Sequence, residues 1–323
     1  MQLTYRGALQ SAALFALTLL AAGCRTLPGG AAARRLPTVE ILIAGRMEGS
    51  GYIADAGGTV VTADHVVRQH TRGLEVLWDG KRLSATLVAR DILHDLALLQ
   101  LPVPEQPYPF IPTAQSTPAT SARVVLHGSA QFDHDVRFHG WVARRRPVFR
   151  YFAKRQGFME CWLVNSFSPP GTSGGAWVDS RGRVVGVQSG FMNYRENSMS
   201  GVALVTSPAA IRELLASRTT PRRPRLGCGI EELWSQPKGF IARFPPGTEG
   251  LITIPIEEDG PVAAAGLTRE SLIVAVNGKP VRFRPDLVAE VYRHEPGEEL
   301  ELTVLAPDTT EPVTRRVRLG TMP

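Results

Sequence analysis

Apolar residues recur along most of this chain in short runs, each broken within a few positions by Gly, Pro, Asp or Asn. Between Val39 and about Thr206 the runs are "TVEILIAG", "GTVVTA", "GLEVLW", "ATLVA", "LALLQL", "ARVVLHG", "CWLVNS", "GAWVD" and "RVVGVQSG". They are too short for helices and rich in β-branched residues, so they predict strands, and their close spacing predicts a sandwich or barrel. The pattern changes at "SPAAIRELLASR", where Ser207 can cap, Pro208 suits the first helical position, and Ile211, Leu214 and Leu215 form one apolar stripe. A helix there closes a first domain. The basic, proline-broken stretch "TTPRRPR" then reads as a linker. A second module of about ninety residues follows, with "LGCGIEEL", "GLITIPI", "SLIVAVNGKPV" and a final strand pair around one main helix, "RPDLVAEVYRH". No internal repeat joins the two modules.

The first residues follow another pattern. "MQLTYRGALQSAALFALTLLAAGC" has one charge, Arg6, then an apolar run, then small residues before Cys24, which is the layout of a secretory signal. The run is short for a membrane-spanning helix. Its end, "LLAAGC", resembles the lipobox of bacterial lipoproteins, although Ala21 stands where a larger apolar residue is usual. That resemblance implies lipidation of Cys24, which becomes the mature N-terminus. Arg25 follows instead of an aspartate, which favours the periplasmic side of the outer membrane over inner-membrane retention. The expected organisation is a signal peptide at 1–23, a tether at 24–37, a first domain at 38–217, a linker at 218–225 and a second domain at 226–320.

Composition agrees with this division. At 323 residues and 43% apolar content the chain can fill two packed cores, which excludes wholesale disorder. Once Cys24 is assigned to the anchor, Cys161 and Cys228 remain in an oxidising compartment. They read as two buried free thiols, with a disulfide between them as the alternative. No CxxC or Cys/His cluster is present, so neither a metal nor another cofactor is expected.

Three polar residues stand out against the strand pattern. His65 follows a β-branched run in "VVTADHVV"; Asp95 opens an apolar run in "ILHDLALLQL", where burial demands hydrogen bonds; Ser173 lies among glycines in "SFSPPGTSGGAWV". A serine nucleophile needs a base, an acid that orients the base, and donors for the oxyanion. The order His, Asp, Ser is the one found in chymotrypsin-type enzymes. Gly171, Gly174 and Gly175 permit the tight turn that aims backbone N–H groups at a carbonyl oxygen.

The blocks "GSGYIADAGGTVVTADHVV", "DILHDLALLQL" and "GTSGGAWVDSRGRVVGVQSG" resemble the three motif blocks of the HtrA (Deg) serine proteases. "GPVAAAGLTRESLIVAVNGKPV" resembles part of a PDZ domain. The likeness runs from about residue 38 to the end of the chain. It implies a mainly β fold: a chymotrypsin-like double β-barrel, then a PDZ-like domain with one main helix. It implies His65 as general base, Asp95 as its orienting acid and Ser173 as nucleophile, with backbone N–H groups of Gly171, Thr172 and Ser173 as the oxyanion hole. Residues 167–169 and 188–191 become the walls of the specificity pocket, with Phe167, Gln188, Ser189 and Gly190 as candidates. No acidic residue is among them, which disfavours cleavage after Lys or Arg. Leu226, Gly227, Cys228, Gly229 and Ile230 become the peptide-binding loop of the PDZ domain, and "RPDLVAEVYRH" the opposite wall of its groove. HtrA relatives are usually trimers held by an N-terminal segment; the short Gly/Ala-rich tether leaves a homotrimer open.

Several neighbours compete with these assignments. His94 should point away from Asp95 by strand alternation, which places it on the surface. His127 and His139 flank a turn, and Asp91 and Asp133 lead no apolar strand. Pro169–Pro170 stands where HtrA members carry a polar Asn-Arg type pair, and two prolines are expected to hold the oxyanion turn in one state. Residues 137–155, "RFHGWVARRRPVFRYFAKR", hold seven bases and no acid. They read as a solvated loop with some buried aromatics, or as a contact for anionic lipid; no nucleic-acid motif is present. The function that follows is an envelope serine endopeptidase acting on unfolded or damaged polypeptides, with PDZ recognition of peptide C-termini. The alternative is a catalytically silent chaperone or scaffold.

Overall fold

The computed structural model describes residues 36–68, 72–131, 133–152, 157–193 and 199–322. The signal segment, Cys24 and nearly all of the tether lie outside the described residues.

The first domain is built from β1 (Thr38–Ile43), β2 (Arg46–Ile53), β3 (Thr59–Thr62), β4 (Leu74–Trp78), β5 (Lys81–Ser84), β6 (Thr86–Asp91), β7 (Leu96–Gln100), β8 (Arg123–Ala130), β9 (Asp133–Phe152), β10 (Gly157–Asn165), β11 (Ala176–Val178), β12 (Val184–Asn193) and β13 (Met199–Val205). The first seven form one antiparallel sheet in the order β5-β4-β1-β2-β3-β7-β6. It closes over Ile41, Ile53, Val60 and Leu99. The other six form a closed barrel, β10-β13-β12-β11-β8-β9. Its core holds Trp162 and Trp177, both fully buried. Each buried indole N–H has an acceptor: Trp162 donates to the Thr206 carbonyl at 2.9 Å, and Trp177 to Gln188 Oε1 at 2.9 Å. The helix Pro208–Ser217 forms as its sequence predicts, with the Ser207 hydroxyl accepting from the Ala210 N–H.

The second domain is a sheet of β15 (Cys228–Glu232), β16 (Leu251–Ile256), β17 (Leu272–Val276), β19 (Glu299–Leu305) and β20 (Val313–Arg318), with β18 (Lys279–Pro280) beside β17. The helix Arg284–Val291 packs Leu287, Val288 and Val291 into its core. Asp286 accepts from the Phe283 N–H at 2.9 Å, which satisfies an N–H at the start of that helix. β14 (Pro224–Arg225) pairs with β21 (Gly320–Thr321), which returns the chain end to the linker.

Two expectations change. The basic segment is a strand through Phe152, and its solvated face is only half of it. β9 runs for 20 residues, pairing first with β8 and then with β10. Arg144, Arg145 and Arg146 are exposed, whereas Phe149 is buried. His94 is buried, and it lies with Asp95 in the turn between β6 and β7, so strand alternation does not set its direction. The linker folds over it: His94 Nδ1 lies 2.7 Å from Asp91 Oδ2, and Arg223 donates to the same oxygen at 2.7 Å. Burial works to raise the Asp91 pKa, but His94 and Arg223 outweigh it and hold the carboxyl well below the usual range. Cys161 and Cys228 are both buried and free, and burial pushes each thiol up to about 12. Among the described residues no helix is long and apolar enough to cross a membrane, and no group of His, Cys, Asp and Glu could hold a metal.

Candidate active site

Asp95 is the anchor of the site. It is fully buried and sits at φ +54°, a left-handed conformation that Asp tolerates better than most residues. That bend turns its carboxylate back toward the short helix Asp64–Val67. Oδ1 accepts the His65 backbone N–H at 3.0 Å, and Oδ2 lies 2.8 Å from His65 Nδ1. The Asp95 carbonyl accepts the Asp64 N–H at 3.1 Å. The Ser189 hydroxyl donates to Oδ2 as well. An ionised carboxylate only accepts, so the proton between the two residues belongs to Nδ1 and the lone pair of the ring to Nε2. The His65 side chain is 29% exposed, which leaves that lone pair reachable. This is the orientation a general base requires.

The turn around Ser173 follows from its peptide planes. Each amide plane holds its C=O and N–H in opposite directions, so fixing one fixes the other. The Pro170 carbonyl accepts the Gln131 N–H at 3.1 Å, the Gly171 carbonyl accepts the Ser50 hydroxyl at 2.8 Å, the Thr172 carbonyl accepts the Gly175 N–H at 2.8 Å, and the Ser173 carbonyl accepts the Ser50 N–H at 2.7 Å. Four successive carbonyls are thus committed. Of the N–H groups in those planes, Thr172 donates to the Pro169 carbonyl at 3.2 Å and Gly174 to the Gln188 carbonyl at 2.7 Å. Those of Gly171 and Ser173 meet no acceptor among the described residues. These two remain for an oxyanion, and Thr172, expected as a third donor, is instead spent inside the turn.

Glycine is required here by position. Gly171 has φ +95°, and a Cβ on it would meet the Gln131 nitrogen at 2.7 Å. Gly174 has φ +85°, and a Cβ would lie 2.1 Å from the Ser50 carbonyl oxygen and 3.0 Å from the Ala63 nitrogen. The Ser173 turn therefore packs directly on the Thr62–Ala63 segment that leads into His65. Ser173 Oγ makes no hydrogen bond among the described residues, and such bonds are often loose before substrate arrives.

The pocket assignments fare differently. Ser189 is buried, and its hydroxyl supports the Asp95 carboxylate. Gln188 is likewise turned inward, between the Trp177 indole and the Gly190 carbonyl, to which it donates at 2.7 Å. Phe167 is half exposed and packs edge-on against Phe138 with ring centroids 5.9 Å apart. His127 is buried on β8; burial, followed by the charge of Arg137, lowers its pKa to about 4, so it is neutral at pH 7. His139 is exposed beside Arg123. Neither competes with His65 for Asp95. Ser50, inside a quoted motif block, and Gln131, outside all of them, received no role from the sequence; only the fold shows that they hold the turn.

The groove of the second domain is filled. Leu226, Cys228 and Ile230 are buried in one cluster with Val288 and Val291 of the opposite wall, and Phe149 and Phe158 from β9 and β10 belong to the same cluster. Gly157 and Phe158 line a small cavity together with Leu226, Gly227, Cys228, Val288, Val291 and Tyr292. The Tyr292 hydroxyl donates to the Phe158 carbonyl at 2.7 Å and lies 3.2 Å from its N–H. Arg284 donates to the Ile230 carbonyl at 3.2 Å and to the Phe149 carbonyl at 3.3 Å, which joins groove edge and hairpin. This packing lies at the Leu226–Ile230 loop expected to bind peptide.

Residues 49–187 match the trypsin-like peptidase domain family, and residues 224–314 match the PDZ domain family. The two matches fall on the first and second domains in turn. Its fold is mainly β, a chymotrypsin-like peptidase fold joined to a PDZ fold. A protein of Brucella suis named "Probable periplasmic serine endoprotease DegP-like" is 26% identical over 280 residues, covering 85% of this chain and 53% of the relative. One of the same name from Ectopseudomonas mendocina is 27% identical over 282 residues, covering 85% and 56%. The chain thus spans about half the length of the curated relatives it matches. Among solved structures, the HtrA-type protease AlgW with a decapeptide superposes with a TM-score of 0.63 at 18% identity, covering 90% of this chain and 97% of the other. The serine endoprotease from Yersinia pestis gives 0.61 at 20%, covering 90% and 95%.

Proposed function

We propose that this protein is a serine endopeptidase of HtrA type that cleaves unfolded or damaged polypeptides in the bacterial envelope. The observation that carries this reading is the Ser173 turn, which leaves the Gly171 and Ser173 N–H groups open and packs on the segment leading into the Asp95-held His65. In the reaction, His65 Nε2 takes the Ser173 proton as Oγ adds to the carbonyl carbon of the scissile bond. The negative charge on the carbonyl oxygen is met by the two open N–H groups. The C–N bond then breaks, the leaving amine takes the proton from His65, and water releases the acyl group by the same steps. Asp95 stays ionised throughout and stabilises the imidazolium, supported by Ser189 and the His65 backbone.

The peptidase-domain match, the names of the curated relatives and the peptide in the AlgW structure support polypeptide as the substrate. The relatives' names also support a periplasmic site, and the lipobox-like sequence supports anchoring by Cys24 at the outer membrane. Peptide C-termini would enter the PDZ groove only after the Phe149–Phe158 hairpin leaves it. Digestion of denatured casein by the purified protein tests the central reading. The wild type should cleave it and Ser173→Ala should be inert; equal activity of the two, or none in either, would overturn it.

A further inference from the structure

We infer that Ser50 is a positioning residue for the oxyanion hole. The inference rests on the peptidase reading above. Ser50 is fully buried on β2, a central strand of the first sheet, where that strand meets the Ser173 turn and β8 of the closed barrel. Its N–H, hydroxyl and carbonyl are all engaged, and of these contacts only the one to Thr62 lies away from the catalytic turn and the strand beneath it; the hydroxyl also lies 3.4 Å from the Ser129 carbonyl. Its N–H donates to the Ser173 carbonyl at 2.7 Å, and its hydroxyl donates to the Gly171 carbonyl at 2.8 Å while accepting the Ser129 N–H at 2.9 Å. Its carbonyl accepts the Thr62 hydroxyl at 2.7 Å, three residues before His65. One residue therefore grips the turn on both sides of Thr172 and also holds the strand that leads to the base.

The hydroxyl is the part that matters for the hole. Gly171 has no side chain or ring to resist rotation of its two flanking peptides. Of those peptides, the one before Gly171 is fixed by Gln131 and the one after it by Ser50. The pyrrolidine of Pro170 fixes φ of residue 170 and leaves ψ free, so the prolines alone do not set the direction of the Gly171 N–H. The open N–H of Gly171 lies in the plane held by Gln131 and that of Ser173 in the plane held by Gly175, and the Ser50 hydroxyl fixes the peptide that joins them, so without it the two N–H groups lose their fixed spacing and mutual angle. A buried network stiffens the same point: Ser129 Oγ donates to Glu40 Oε1 at 2.8 Å, and His134 Nδ1 pairs with that carboxylate. Ser129, whose N–H the Ser50 hydroxyl accepts, is thereby tied back to β1.

A positioning role differs from a merely structural one in its kinetic signature. Misplacing an oxyanion donor slows chemistry and leaves ground-state binding intact. The test compares wild type, Ser50→Ala, Ser50→Cys and Ser173→Ala in two assays: labelling by a fluorophosphonate, whose phosphoryl oxygen must enter the hole, and casein digestion resolved into kcat and KM. The expected result is that Ser50→Ala slows labelling and lowers kcat about a hundredfold with KM unchanged. Ser50→Cys, which keeps the packing and a weaker donor, should recover part of the loss. Wild-type rates of labelling and turnover in a folded Ser50→Ala would overturn the inference, as would a loss expressed in KM alone. If Ser50→Ala does not fold, Ser50→Cys decides: a kcat defect supports the role and wild-type kcat overturns it. Failure of the wild type itself to label, or labelling that survives Ser173→Ala, would instead sink the peptidase reading.

Discussion

On the proposed function, the turn at Gly171–Ser173 and the groove between β15 and the helix Arg284–Val291 both receive peptide, and they stand in opposite states. The turn has spent every internal hydrogen bond except the two N–H groups that an oxyanion needs. The groove has its apolar lining covered by Phe149 and Phe158 and its edge carbonyl at Ile230 capped by Arg284. On that proposal, catalytic competence and peptide recruitment are controlled separately, and the oxyanion turn requires no rearrangement of its backbone. Recruitment requires an exchange, in which an incoming peptide must displace two buried aromatic rings worth about 2 kcal/mol each.

The sharpest way to break the comparison is at the turn. Gly171→Ala places a side chain at φ +95° and against the Gln131 nitrogen, so the Gly171 N–H must swing away. The expected loss in kcat is about a hundred- to a thousandfold, with the fold retained by circular dichroism. Wild-type kcat would mean that this N–H is not part of the hole. Next in size is the groove. Phe158→Ala should loosen the hairpin and raise the affinity of the PDZ domain for a fluorescein-labelled peptide with an apolar C-terminus by up to about a hundredfold, read by anisotropy. Unchanged affinity would show that the hairpin does not compete. Ser189→Ala removes a hydrogen bond to the buried Asp95 carboxylate and should lower kcat about tenfold at constant KM. A KM effect would assign Ser189 to the specificity pocket.

The smallest expected effect concerns β8, which passes beneath the turn. His127 is neutral in the fold because its pKa lies at about 4, below the ordinary 6.5. As pH falls, the unfolded chain takes up the proton first, so this residue's contribution is present above pH 6.5 and is lost between 6.5 and 4. His127→Gln should lose less Tm than wild type over that window, by a few degrees in calorimetry. Parallel curves would contradict the assignment.

Much of this was legible in the sequence, for identifiable reasons. The strands and the helix Pro208–Ser217 follow from short apolar runs and a Ser-Pro start, which are local signals. The His65–Asp95 pair was legible because a carboxylate leading an apolar strand has few ways to be buried. The misreadings share one cause: each depended on what covers a surface from afar. The alternation in "VFRYF" is that of a strand, but the partner of its apolar face is a domain that begins some seventy residues later. His94 lies in a turn, and the linker residue Arg223 makes its surroundings an interior. Which N–H groups the turn leaves open is decided by carbonyl partners at Ser50 and Gln131, and no spacing rule announces them. Pro169–Pro170 attracted attention as unusual residues, whereas the bonds that set the turn reach their carbonyls and not their rings.

The central claim is that the catalytic turn is ready while the PDZ groove is filled. Labelling of the wild-type protein by a fluorophosphonate, with and without saturating apolar C-terminal peptide, tests it most directly. Labelling at Ser173 is expected without peptide, at a rate that peptide does not raise. Labelling that appears only when the peptide is added would contradict it.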